Sequence, residues 1–143
     1  MMGLSMRFTT FAVSAVLTLA VGFAFATEST PGTRAYFINL TNGQHVKSPV
    51  LIQFGLSGMG IAPAGSTNPG TGHHHLIIDA DTPGAAAPIS MDDKHMHFGR
   101  GQTEVSLPLT PGNHTLQLVL ADGGHIPFTP QVVSDKVTVT VDP

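Results

Sequence analysis

The segment HHHLIID, His73–Asp79, decides how the rest of the chain is read. Three histidines run directly into Leu76, Ile77 and Ile78, between Gly72 and the turn formers Asp81-Thr82-Pro83-Gly84. A short apolar run with β-branched residues, bounded in this way, reads as a strand. Successive side chains of a strand point to opposite faces. His73 and His75 therefore share a face with Asp79, while His74 shares the other with Leu76 and Ile78. The triplet is two groups of histidines.

Working outward, the same alternation recurs. RAYFINL (34–40) is a strand stopped by Thr41-Asn42-Gly43, and VLIQFGL (50–56) puts Val50, Ile52, Phe54 and Leu56 on one face. EVSLPL (104–109) groups Val105, Leu107 and Leu109, with Pro108 marking an edge or a strand end. HTLQLVL (114–120) aligns His114 with Leu116, Leu118 and Leu120, and VTVTV (137–141) turns three valines inward. Turns fall at Pro111-Gly112 and at Asp122-Gly123-Gly124. No stretch repeats apolar residues at helical spacing. Six to seven short strands predict an all-β, immunoglobulin-like antiparallel β-sandwich. Two long connections, 57–72 and 80–102, border the histidine strand, and loops of that length in a compact fold are usually functional or disordered.

The first residues stand apart. Met1–Arg7 carries one positive charge, an almost purely apolar run follows, and Ala24-Phe25-Ala26 closes it with a small-x-small pattern. These are the parts of a secretory signal peptide. The expected organisation is a leader over 1–26, a short linker over 27–33 and one sandwich domain over 34–143. The destination is periplasmic or secreted, with no membrane attachment after cleavage.

Composition removes several function classes. Six Lys and Arg against nine Asp and Glu leave no clustered basic footprint for nucleic acid. Without cysteine there is no disulfide, thiol nucleophile, iron–sulfur cluster or blue-copper thiolate. No nucleophile elbow is visible. A histidine brace needs an amino-terminal His, whereas cleavage after Ala26 would expose Thr27.

Eight histidines remain to be explained, five of them between His73 and His97. Residues two apart on a strand lie about 6.5–7 Å apart at Cα, near enough for two imidazoles to meet one ion. KHMHFG (94–99) repeats the arrangement with His95 and His97 on one face and Met96 opposite. His73, His75, His95 and His97 are the expected ligands, with His125, in the turn after a later strand, as a fifth candidate. Imidazole suits copper or zinc, and the thioether of Met96 would favour copper. Asp79, on the His73/His75 face, is placed to orient a ligating ring through its other nitrogen. His74 is expected to be half-buried, structural as readily as ligating. His114 reads as structural and His45 as exposed.

With these residues in view, GMGIAPAG, TGHHHLIID, HMHFGRGQTE and PGNHTLQLVLADGGHIPFTP resemble the small exported bacterial domains grouped as domain of unknown function 4399. The resemblance runs from about Tyr36 to Val141. It implies an export signal and one domain of this size, but no activity. It also implies that His73, His74, His75, His95, His97, His114 and His125 stand at the family's histidine positions, and His45 does not. Arg100 departs from a usual run of glycines, and Phe128 stands where relatives often carry another histidine.

The favoured expectation is an exported domain that binds a transition metal, copper before zinc, for trafficking, buffering or tolerance. Its rival is a non-catalytic structural or interaction module whose histidines form a hydrogen-bonded polar cluster. A metalloenzyme of unknown substrate is the third reading.

Overall fold

The computed structural model describes residues 26–143; the leader expected over 1–26 lies outside the described residues except for Ala26. In chain order the strands are β1 (Arg34–Phe37), β2 (Gln44–Val46), β3 (Val50–Ser57), β4 (Gly60–Ile61) and β5 (Thr71–Ile78). They continue with β6 (His95–His97), β7 (Glu104–Leu107), β8 (Gly112–Ala121) and β9 (Val137–Val141). Among the described residues no helix forms, and so none is long and apolar enough to cross a membrane.

Two sheets face each other. One is β1-β3-β7; the other is β2-β9-β8-β5-β4, with β6 also paired to β5. All six strands expected from alternation are present. Pro108 ends β7 where it had marked a boundary, because proline cannot donate to a ladder. Three further strands, β2, β4 and β6, are only two or three residues long. The antiparallel expectation needs one correction. β2 pairs parallel with β9, and β4 pairs parallel with β5, so the larger sheet is mixed. Long connections let these short strands return in the same direction as their partners, which a hairpin could not do.

The main core fills the space between the sheets. Val50, Ile52 and Phe54 of β3 meet Leu76 and Ile78 of β5, the three leucines of β8 and the three valines of β9. Each fully buried Leu, Ile or Val contributes about 1.5–3 kcal/mol relative to exposure. A second, smaller cluster lies on the opposite face of the larger sheet. There Ile77, Val119 and Ala121 are covered by Ile89 from the long loop, with Ala80 and Val133 packed alongside. β5 is thus covered on both faces, and from Gly72 to Ile78 every residue is buried. This double cover takes the histidine triplet out of water.

Candidate metal centre

β5 and β8 are antiparallel neighbours, with His73 opposite Ala121 and His75 opposite Val119. On the other side of β5, His75 stands opposite His97 of β6. Directly opposed residues have Cβ atoms about 4.5–5.5 Å apart, so the register itself brings His97 to His75. The methyl of Ala121 beside His73 leaves room for one more ring, and His125 enters there from the turn after β8.

That turn is organised by Asp122. Its Oδ1 accepts hydrogen bonds from the backbone N–H of Gly124 (2.9 Å) and Ile126 (3.1 Å), and its carbonyl accepts from His125 N–H at 3.0 Å. His125 adopts a left-handed φ of 66°, a conformation that side-chain-bearing residues hold only when their surroundings impose it. Asp122 is a positioning residue that the sequence reading took only as part of a turn. The signal available was an Asp ahead of Gly-Gly, whose side chain bonds backbone two residues on.

The outcome is four converging imidazoles. His73, His75, His97 and His125 each offer a ring nitrogen, and these atoms all lie within 4.8 Å of one another. His73 Nε2 is 3.1 Å from His75 Nε2 and 3.2 Å from His125 Nδ1. The rings of His97 and His125 are 4.7 Å apart by centroid and nearly perpendicular. His73 and His75 are 0 % exposed.

Hydrogen bonding among the rings leaves part of this arrangement unsatisfied. A ring nitrogen of a neutral imidazole carries either one proton or one lone pair, so His73 Nε2 cannot make full bonds to both neighbours. His97 Nε2, and the Nδ1 atoms of His73 and His75, are buried with no partner at all. A metal cation accepts several such lone pairs at once. Nitrogens 2.0–2.1 Å from a tetrahedral ion stand about 3.3 Å apart, close to the two spacings observed.

Electrostatics keep the rings ready to ligate. Burial first, then the neighbouring His97 and His125, holds the His73 pKa down at about 4, with Asp122 pulling the other way. Burial first, then four histidine neighbours led by His73 and His97, lower His75 to about 3. Burial and His125 lower His97. All three are uncharged at neutral pH with lone pairs available.

The remaining expected residues are distributed elsewhere. His95 does not join the convergence: it stands opposite Ile77 rather than His75, and its Nδ1 hydrogen-bonds Asp92 Oδ1 at 2.8 Å. It shares a face with His97, but one strand repeat further along. Asp79 does not support His73 or His75. A left-handed φ of 50° swings it to His114, whose Nδ1 donates to its Oδ2 at 2.7 Å while Thr115 N–H donates to its Oδ1. His114 Nε2 meets the carbonyl of Thr110 at 2.9 Å. Two acceptors on one ring favour the imidazolium, so the His114 pKa is raised, chiefly by the Asp79 hydrogen bond.

His74 is more deeply buried than expected. It is 1 % exposed, edge-on to Phe54 at 5.4 Å, and neither ring nitrogen has a partner. Desolvation lowers its pKa to about 4. Met96 packs against the main core. Phe128, 1 % exposed, also belongs to that core, and Arg100 is exposed beside a Gly101 that keeps the left-handed turn. His45 is exposed and pairs with Asp142 at 2.8 Å.

A strap from the first long loop ties the pieces together. Backbone N–H groups of Ala62, Ala64 and Gly65 donate to the carbonyls of Gly72, Gly99 and Gly123 at 2.8–2.9 Å. Each acceptor lies within two residues of a converging histidine. Glycine is required at these points: a Cβ on Gly99 would overlap the His97 ring, and one on Gly123 would overlap the Ser66 carbonyl.

Comparison with known proteins adds one finding. The family model described as Domain of unknown function (DUF4399) matches residues 52–142, which include all four converging histidines. No curated protein and no solved structure matches the chain.

Proposed function

We propose, for a chain that belongs to the family described as Domain of unknown function (DUF4399), that it binds a transition metal ion through His73, His75, His97 and His125. The reading extends to copper before zinc, and to trafficking, buffering or tolerance in the periplasm or outside the cell. What carries it is the convergence of four ring nitrogens within 4.8 Å of one another, beside a buried His97 Nε2 that has no hydrogen-bond partner.

The preference for copper rests on charge. No carboxylate is among the converging groups, so the site supplies only neutral ligands in a largely dry setting. An uncompensated charge is costly there, and a dication costs more than a monocation. Copper(I) carries the smaller charge and accepts imidazole readily.

Titrating the metal-free domain, residues 27–143, with copper(I) and zinc under chelator competition tests this reading. The expected result is binding tighter than micromolar that is abolished by joint His73→Ala and His97→Ala substitution. Micromolar or weaker binding, or binding indifferent to that pair, overturns it. The imidazole contacts at 3.1 and 3.2 Å also support a second reading, a polar cluster held by hydrogen bonds alone. It requires the same pair of substitutions to lower stability by about 1–3 kcal/mol each without metal, with metal leaving the melting temperature of the unsubstituted domain unchanged.

A further inference from the structure

Three of the four converging histidines are placed by strands, His73 and His75 on β5 and His97 on β6. His125 alone stands on a turn, and a segment 95 positions earlier in the chain reaches that turn. The Asp122 carboxylate is shared between the two. Its Oδ1 accepts from the backbone of Gly124 and Ile126, while its Oδ2 accepts the hydroxyl hydrogen of Thr27 at 2.7 Å. Hydrogen bonds to an ionised carboxylate are roughly twice as strong as neutral ones.

Residues 27–29 also hold the other end of the same loop. Thr129 N–H donates to the Thr27 carbonyl at 2.9 Å, and Ser29 N–H donates to the Thr129 carbonyl at 3.1 Å, a parallel bridge centred on Glu28. The Ser29 hydroxyl donates to the Pro130 carbonyl at 2.9 Å. These hydrogen bonds tie Asp122 to Thr129 and Pro130, which bracket His125 in the chain. Thr27 and Glu28 are exposed, so hydrogen bonds rather than burial keep the segment in place. A segment held in that way opens more readily than a core strand.

We propose that residues 27–29 are a clip on the loop that carries His125: docked, they fix His125 as the fourth ligand of the metal centre; undocked, they leave a three-histidine site with an open position. The proposal rests on the metal reading given above. A tetrahedral ion enclosed by four protein ligands is closed to outside groups, whereas three ligands leave a position for one. Strand register fixes the other three histidines, so His125 is the ligand whose position the clip can change. Thr27 acts through Asp122 and is a positioning residue.

The test compares the domain of residues 27–143 with a form lacking 27–29 and with Thr27→Val and Thr27→Ser, each also in a His125→Ala background. Amide hydrogen exchange is followed without metal, and zinc and copper(I) are titrated under chelator competition. Removing residues 27–29 should speed exchange at Gly124, His125 and Ile126 at least about tenfold while β5 and β8 amides keep their rates. Thr27→Val should act in the same direction by a smaller factor, and Thr27→Ser, which keeps the hydroxyl, should retain the original rates. The shortened form should bind metal roughly 10–100-fold more weakly, and shortening should weaken binding no further once His125 is Ala. Unchanged exchange at His125 overturns the clip whatever the metal does. The turn is then held by its own hydrogen bonds, that from Asp122 N–H to the Ile126 carbonyl among them. An equal loss of affinity in both backgrounds also overturns it, because residues 27–29 then support the whole domain rather than His125. If the unsubstituted domain binds neither metal, the metal reading falls and the fourth-ligand role with it; loop exchange alone then decides whether residues 27–29 hold His125.

Discussion

β5 presents the same residue type to two environments. On its outer face, His73 and His75 meet His97 and His125, and the nitrogens collect. On its inner face, His74 lies between the sheets among Phe54 and the leucines, with both nitrogens unpartnered. Burial alone lowers the His74 pKa, whereas burial and imidazole neighbours together lower those of His73 and His75. An imidazole is placed to act as a ligand when the register gives it company. Without company it is a core side chain carrying an unmet polar cost.

The largest expected difference between the faces is in metal affinity. Joint His73→Ala and His97→Ala substitution should lower it at least about 100-fold, beyond the 10–100-fold typical of losing an orienting partner. His74→Leu should leave it unchanged in the same competition assay. A comparable loss in His74→Leu would erase the distinction between the faces.

Stability against pH is the next test. The unfolded chain protonates His73, His74 and His75 near 6.5, the folded chain only near 4, 4 and 3. Between those values the unfolded state binds more protons, so stability is full above 6.5 and is lost as pH falls toward 4. At about 1.36 kcal/mol per pKa unit, the share of His74 is on the order of 3 kcal/mol. Denaturant midpoints of metal-free His74→Leu should fall less steeply with acid, and at neutral pH should show a gain of about 1–3 kcal/mol from removing orphan nitrogens. An unchanged slope would place His74 in water. His114 has the opposite sign: its raised pKa gives stability that is present below 6.5 and lost as pH rises through the folded value. Asp79→Asn should remove that increment and nothing of the metal site.

A smaller effect comes from the strap. Gly99→Ala deletes no ligand but displaces the His97 ring, and should weaken metal binding roughly 10–100-fold while the far-ultraviolet circular dichroism stays that of a β-sandwich. At the bottom of the scale, His45→Ala removes an exposed pair with Asp142. It should change stability by less than about 0.5 kcal/mol and metal affinity not at all.

Much of this was legible in the residues. Alternation located β1, β3, β5, β7, β8 and β9, because each carries enough inward apolar side chains to show the period. It also separated His74 from its neighbours. It could not reveal β2, β4 and β6, which are too short to establish a period, nor the parallel pairings, which depend on where long loops deliver them. His95 and His97 look equivalent in sequence, since both lie on one face of the same short strand. Only the register, His97 against His75 and His95 against Ile77, tells them apart. Asp79 was misassigned because its left-handed backbone turns it out of the strand's alternation toward His114. The burial of His74 depends on the opposing sheet, which no local pattern encodes.

The central claim is that the outer face of β5 assembles a metal centre and the inner face does not. Nitrogen-15 NMR of the imidazoles during titration with zinc, which is diamagnetic, reads both faces in one experiment. The account predicts that one ring nitrogen each of His73, His75, His97 and His125 shifts in step up to one equivalent, while His74, His114 and His45 stay where they were. Unmoved His73 and His75 at saturation, or a His74 that shifts with them, would contradict it.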